Sequence, residues 1–73
     1  MKFGDAIEAM REGKKVRRSG WNGKGMSLEA VMPPPPDSPI TEPYVMIHNT
    51  KGRTNAWNAS QQDLFANDWE VAE

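Results

Sequence analysis

The chain contains no cysteine and a single histidine, His48. The first absence excludes disulfides and thiolate metal sites, and the second removes any histidine-rich metal cluster. Long apolar runs are missing as well. Nothing approaches the ~18 consecutive apolar residues of a membrane span, and the apolar stretches after Met1 are too short for a signal peptide. The expectation is a soluble, cytosolic protein. At 73 residues the chain suits one domain, residues 1–73, whose own core is marginal. With disulfide and metal both excluded, association with further copies is the remaining source of burial. Three tryptophans fit that route, because indole brings a large apolar area and favours interfaces.

An excess of charge of either sign is also lacking: the formal net charge is −1. That argues against a duplex-DNA binder and against direct nucleic-acid binding generally. The distribution is uneven, however. Residues 1–24 carry seven basic and three acidic side chains, net +4, whereas residues 25–73 carry two and seven, net −5. A basic segment on a near-neutral protein suits a small anionic ligand better than a long polyanion. The plainer alternative is a solvated charged face.

Phe3, Ala6, Ile7 and Met10 recur at helical spacing, with Glu8, Arg11 and Glu12 on the other face. The pattern predicts a short amphipathic helix over residues 4–12, with Asp5 at its start and Gly13 as its stop. Such a helix is too short to stand alone and must pack on a sheet. Residues 15–18 read as a strand with Val16 inward. Asn22-Gly23 is a hairpin signal, because both residues tolerate positive φ. Residues 26–32 alternate, placing Met26, Leu28, Ala30 and Met32 on one face and Ser27, Glu29 and Val31 on the other.

Residues 33–43 hold all six prolines of the chain and cannot sustain a ladder, so they read as an extended surface loop. Residues 44–49 are β-prone, residues 50–53 form a turn, and residues 54–57 supply its hairpin partner. Ser60 caps a short helical turn with Asp63 three positions on, anchored by Leu64 and Phe65. Residues 68–71 form a last strand. The fold expected is α+β: a small, mainly antiparallel sheet with one N-terminal helix, a Pro-rich loop and a short C-terminal helical turn.

Two stretches have the composition of a binding site. Gly20-Trp21-Asn22-Gly23-Lys24-Gly25-Met26 combines glycines that allow close backbone approach, a cation, and an indole face able to stack on a purine. Lys24 is followed by Gly25, so this is no Walker loop. The alternative is a tight hairpin whose Trp21 belongs to the core. Thr54-Asn55-Ala56-Trp57-Asn58-Ala59-Ser60-Gln61 sets an aromatic among neutral hydrogen-bonding groups before a helix start, where an anion is favoured. Here the alternative is a strand end with a capping serine. Trp69 reads as a core or interface residue, and His48 as a strand residue. Asp63 and Asp68 fit capping and surface roles better than acid–base chemistry, since no nucleophile or metal set accompanies them. No enzyme activity is expected, and neither a cofactor nor a metal.

The opening residues 1–10, then 13–18, then 20–26, together with residues 57–71, resemble a phage and prophage family that includes the second kind of Thoeris anti-defence protein. The resemblance covers most of the chain in the expected order. It implies a sponge that holds cyclic nucleotide immune signals without cutting them. Its small protomers assemble into homo-oligomers, typically tetramers, with pockets at their boundaries. The ligand class implied is glyco-cyclic ADP-ribose, with cyclic di- or trinucleotides in a separate pocket of some members. The same resemblance implies that Trp21 and Asn22 line the nucleotide pocket and that Gly23, Lys24, Gly25 and Met26 shape its wall. It further implies that Trp57, Ser60, Gln61 and Asp63 complete the pocket and that Arg17 and Arg18 meet phosphates. The segment from Leu28 to Pro43 is the part expected to vary. Two other readings stand beside this one, a protein-interaction module built on the Pro-rich loop and exposed tryptophans, and a nucleotide-degrading enzyme.

Overall fold

The computed structural model describes residues 1–21 and 25–72. The Asn22-Gly23 hairpin turn lies outside the described residues. Helix α1 spans Phe3–Arg11. Its start is held by the Lys2 backbone N–H, which donates to Asp5 Oδ2 at 3.2 Å, and Gly13 ends it at φ +90°, a conformation that favours glycine. Ala6 and Met10 are buried on its inner face, flanked by the partly buried Phe3, Ile7 and Ala9.

Strand β1 is Val16–Arg18, β2 Ser27–Val31, β3 Tyr44–His48, β4 Thr54–Ala56 and β5 Trp69–Val71. They form one antiparallel sheet in the order β4-β3-β2-β1-β5. The fold is therefore α+β, with a five-stranded antiparallel sheet, the N-terminal helix and a short second helix, α2, at Gln61–Phe65. The first four strands follow one another as neighbours. The β3–β4 turn is closed by Asn49, whose Oδ1 accepts from the Lys51 and Arg53 backbone N–H groups at 2.9 Å each. The last strand crosses back to lie beside β1, pairing Val16 with Val71, Arg17 with Glu70 and Arg18 with Trp69. Residues 33–43 contribute no strand.

Strand alternation divides the sheet into two faces. Val16 and Leu28 are fully buried against α1, with Ala30, Val45 and Ile47 packed around them. Glu29, Val31, Tyr44, Met46 and His48 occupy the other face by the same alternation, and His48 Nε2 lies 2.6 Å from Glu29 Oε1 there.

The core centres on Trp69, which is 2% exposed. Its ring centroid lies 5.3 Å from Phe3, 5.4 Å from Trp21 and 6.0 Å from Trp57. The two tryptophans meet it edge-on, the arrangement favoured by the ring quadrupoles. The buried indole N–H donates to the Asp63 carbonyl at 3.0 Å, and the Trp69 backbone N–H donates to the Met1 carbonyl at 3.1 Å. Trp69 thus joins β5 to α1, α2 and the first residue.

Helix α2 corrects one expectation. Its cap is the predicted one: Asp63 N–H donates to Ser60 Oγ and Ser60 N–H to Asp63 Oδ2, both at 3.1 Å. Leu64 and Phe65 do not anchor it. They are 40% and 81% exposed, whereas Asp63 is the buried residue of the turn. Polar contacts to Asp63 set the orientation of this helix, and they turn its apolar pair outward.

Replacing the central indole tests the hub. Trp69→Ala should cost about 3–5 kcal/mol, a large part of the roughly 4–11 kcal/mol expected for a chain of this size. Urea denaturation followed by far-UV circular dichroism measures it. A loss near 1 kcal/mol would mean that the core does not depend on Trp69.

Candidate functional site

Arg18, just before the first composition-rich stretch, pairs with Asp63 and Asp68, which follow the second. This residue ends β1, and its guanidinium reaches residues 45 and 50 positions away. Nη1–H donates to Asp63 Oδ1 and Nε–H to Asp68 Oδ1, each at 2.8 Å. Asp68 Oδ2 accepts the Gly20 backbone N–H at 2.9 Å. A Cβ on residue 20 would stand 2.7 Å from the same oxygen, so a larger residue there would have to displace the Asp68 carboxylate. The Trp21 indole N–H points to Asp63 Oδ1 at a longer 3.4 Å, which steers the ring next in sequence.

The charges in this network reinforce one another. The Arg18 guanidinium is held more firmly protonated by its hydrogen bonds to Asp68 and then Asp63. Burial pushes the Asp63 carboxyl upward, but hydrogen bonds from Arg18, Ser60 and Trp21 outweigh it and leave Asp63 below its ordinary value. Asp68 is lowered chiefly by Arg18, with help from the Gly20 N–H against partial desolvation. All three groups are therefore ionised at neutral pH, and two carboxylates face one cation.

Beside this network lies a cleft of about 290 Å³ lined by Arg17, Arg18, Ser19, Trp21, Gly25, Met26 and Glu70. Its lining includes a half-buried tryptophan, a methionine, a serine, two arginines and a glutamate. Arg17 Nε–H donates to Glu70 Oε2 at 2.8 Å, directly across the β1–β5 pair. Arg17, Arg18, Trp21, Gly25 and Met26 thus come together in one wall. Asn22, Gly23 and Lys24 lie outside the described residues. Trp57 is half-buried against Phe3 and Trp69. Ser60 and Gln61 are exposed at the start of α2, and Asp63 is bonded to Arg18; neither these three nor Trp57 is among the residues lining the cleft. Ser19 and Glu70 were not among the residues singled out in the sequence. Glu70 becomes visible only through the pairing of β5 with β1, since it lies 53 positions from its partner.

This chemistry suits binding. A flat ring has Trp21 to lie against, and an anion has Arg17 and Ser19. Among the described residues no group of three or more His, Asp or Glu side chains is placed to hold a metal.

Residues 1–72 match the family described as Tad2-like, the Thoeris anti-defense 2-like domain. The chain belongs to that family. It is also 35% identical, over 88 aligned positions, to the protein named Thoeris anti-defense 2 of Bacillus phage SP01. That alignment spans 97% of this chain and 93% of the relative.

The carboxylates give the domain a defined acid response. Asp63 and Asp68 titrate lower in the folded state than the ~3.9 of an unfolded aspartate. The stability they supply is complete above that value and is lost as pH falls through the folded values. Asp63→Asn should lower the thermal midpoint at pH 7, and the gap from wild type should close below about pH 4. Melts from pH 2 to 7 measure the gap; one that stays constant would exclude ionic linkage.

Proposed function

We propose that this protein counters a bacterial Thoeris defence by binding and sequestering a cyclic nucleotide signal without cleaving it, with glyco-cyclic ADP-ribose as the first ligand. The observation that carries the reading is the cleft in which Trp21 and Met26 stand beside Arg17, Arg18 and Ser19. Such a wall matches a base and a pyrophosphate in one molecule. Membership of the anti-defence family supports the biological setting. The site of action in this reading is the cytoplasm of the infected cell, where the signal is made. Among the described residues no helix is long and apolar enough to cross a membrane.

Affinity sets a further requirement. A sponge competes with a sensor, and nanomolar capture needs about −12 kcal/mol. A stacked base contributes roughly 1–3 kcal/mol, and each charge-assisted hydrogen bond roughly 1.5–3 kcal/mol. Those gains must also offset the loss of ligand freedom. A cleft of about 290 Å³ is at the bottom of the ~300–1,000 Å³ typical of ligand pockets, so one protomer does not enclose a dinucleotide. A second copy closing over the cleft supplies the enclosure, in a homo-oligomer of the tetrameric kind. The 81% exposed Phe65 on α2 is the most exposed large apolar group among the described residues, with Leu64 beside it, and is available to such a partner.

Calorimetric titration with glyco-cyclic ADP-ribose, followed by heating and chromatography of the released ligand, tests the proposal. Tight binding with intact recovery is the expected result. An altered product would make the protein an enzyme. Failure to bind this ligand and cyclic di- and trinucleotides would leave an interaction module. Trp21→Ala should weaken capture by roughly 1–3 kcal/mol, and Trp21→Phe by less. Because Trp21 also packs on Trp69, retention of the fold is checked by circular dichroism, and unchanged affinity in the folded variant would remove Trp21 from the site.

Association has its own test. Phe65→Ser should leave the protomer folded, since the ring lies outside the core, and should shift the sedimenting species toward monomer. An unchanged assembly would place the interface elsewhere.

A further inference from the structure

The cleft contains a carboxylate that a site for anions does not need. Glu70 lines it beside Arg17, and the two side chains are joined at 2.8 Å with 43% and 46% exposure. Arg18, the other described cation of the wall, is committed to Asp63 and Asp68. An arriving phosphate therefore meets Arg17 as its available cation among the described residues, with Glu70 already in place. A half-exposed pair of this kind is weak, so displacing Glu70 from Arg17 costs little. The carboxylate remains close by after displacement, and it repels every further negative charge that the ligand brings.

We propose that Glu70 is a specificity-determining residue, a charge gate that admits ring-closed pyrophosphate ligands and rejects linear polyphosphate nucleotides. This rests on the nucleotide-binding reading above. A ring-closed pyrophosphate carries about two negative charges, and a nucleoside triphosphate about four at neutral pH, clustered at one end. Among the described residues Arg17 balances part of the first, whereas the second adds charge beside Glu70. Base stacking on Trp21 is common to both ligand types, so stacking does not separate them. Discrimination then falls to charge count, and Glu70 is the acidic group that lines the wall. A sequestering protein needs such a filter, because abundant linear nucleotides compete for any adenine-stacking surface.

The test compares glyco-cyclic ADP-ribose and ATP on wild type, Glu70→Gln and Glu70→Asp, by calorimetry at two salt concentrations. In Glu70→Gln the affinity for ATP should rise roughly five- to tenfold more than the affinity for the cyclic ligand, on the scale of one like charge removed from a half-exposed site. Its ATP binding should also become more salt-dependent. Glu70→Asp should retain the wild-type preference. A folded Glu70→Gln variant with the wild-type ratio of affinities would overturn the gate while leaving cyclic-ligand capture intact. Wild type that ignores the cyclic ligand would instead count against the nucleotide-sponge reading. In that event the gate, which is defined by admitting that ligand, falls with the reading it rests on.

Discussion

The fold is held at one place by a single guanidinium shared between two carboxylates. Arg18 ends the first strand, and Asp63 and Asp68 flank the approach to the last one. Together with the Trp69 indole N–H, which donates to the Asp63 carbonyl, that tie fixes the short helix α2. Its apolar side chains point outward, and its five residues are far fewer than an autonomous helix requires. The partners sit in a partly buried setting where an unpaired charge is costly. Each supplies what the others need: Asp63 serves Arg18, the Ser60 cap and Trp21, and Asp68 serves Arg18 and Gly20. The close contact at Gly20 then controls where the chain departs toward Trp21.

Trp21 stands between this polar tie and the aromatic hub. One side of its environment is the Trp69 ring, and another is the cleft beside Arg17. A core alternative and a binding alternative were both open for this residue from its sequence setting; in the structure it packs on Trp69 and also borders the cleft. A surface indole loses rotamer freedom when it stacks on a ligand. An indole already braced by Trp69 has lost most of that freedom on folding, so stacking of a ligand on it would carry a reduced ordering cost. The same bracing means that substitutions at Trp21 affect fold and cleft together.

Much of the architecture was legible in local pattern. The spacing of Phe3, Ala6, Ile7 and Met10 locates α1 to within one residue at each end. The alternation that groups Leu28 with Ala30 defines the inner face of β2, and Ser60 with Asp63 marks the start of α2. Long-range pairing was less visible. Three-residue strands carry too little alternation to announce a partner, so nothing in residues 68–71 says that they lie beside residues 16–18. Glu70 in the cleft and the Arg18 network both depend on that adjacency. Leu64 and Phe65 misled for a related reason. Apolar residues normally anchor a turn, but here the buried polar contacts of Asp63 outweigh them.

The outward turn of α2 also bears on the size of the protein. A chain with five buried apolar residues among those described and no cysteine for a cross-link has little stability to spare, yet it leaves a phenylalanine in water. In a monomer that ring only costs solubility. In an assembly it becomes part of the second core that the chain is too short to build alone. If the partner copy also closes the cleft beside Trp21, assembly and ligand capture share one surface, and each stabilises the other by mass action. Such coupling would allow a small domain with an open, shallow cleft to hold a nucleotide tightly: part of the affinity would then reside in contacts between protein copies that the ligand completes.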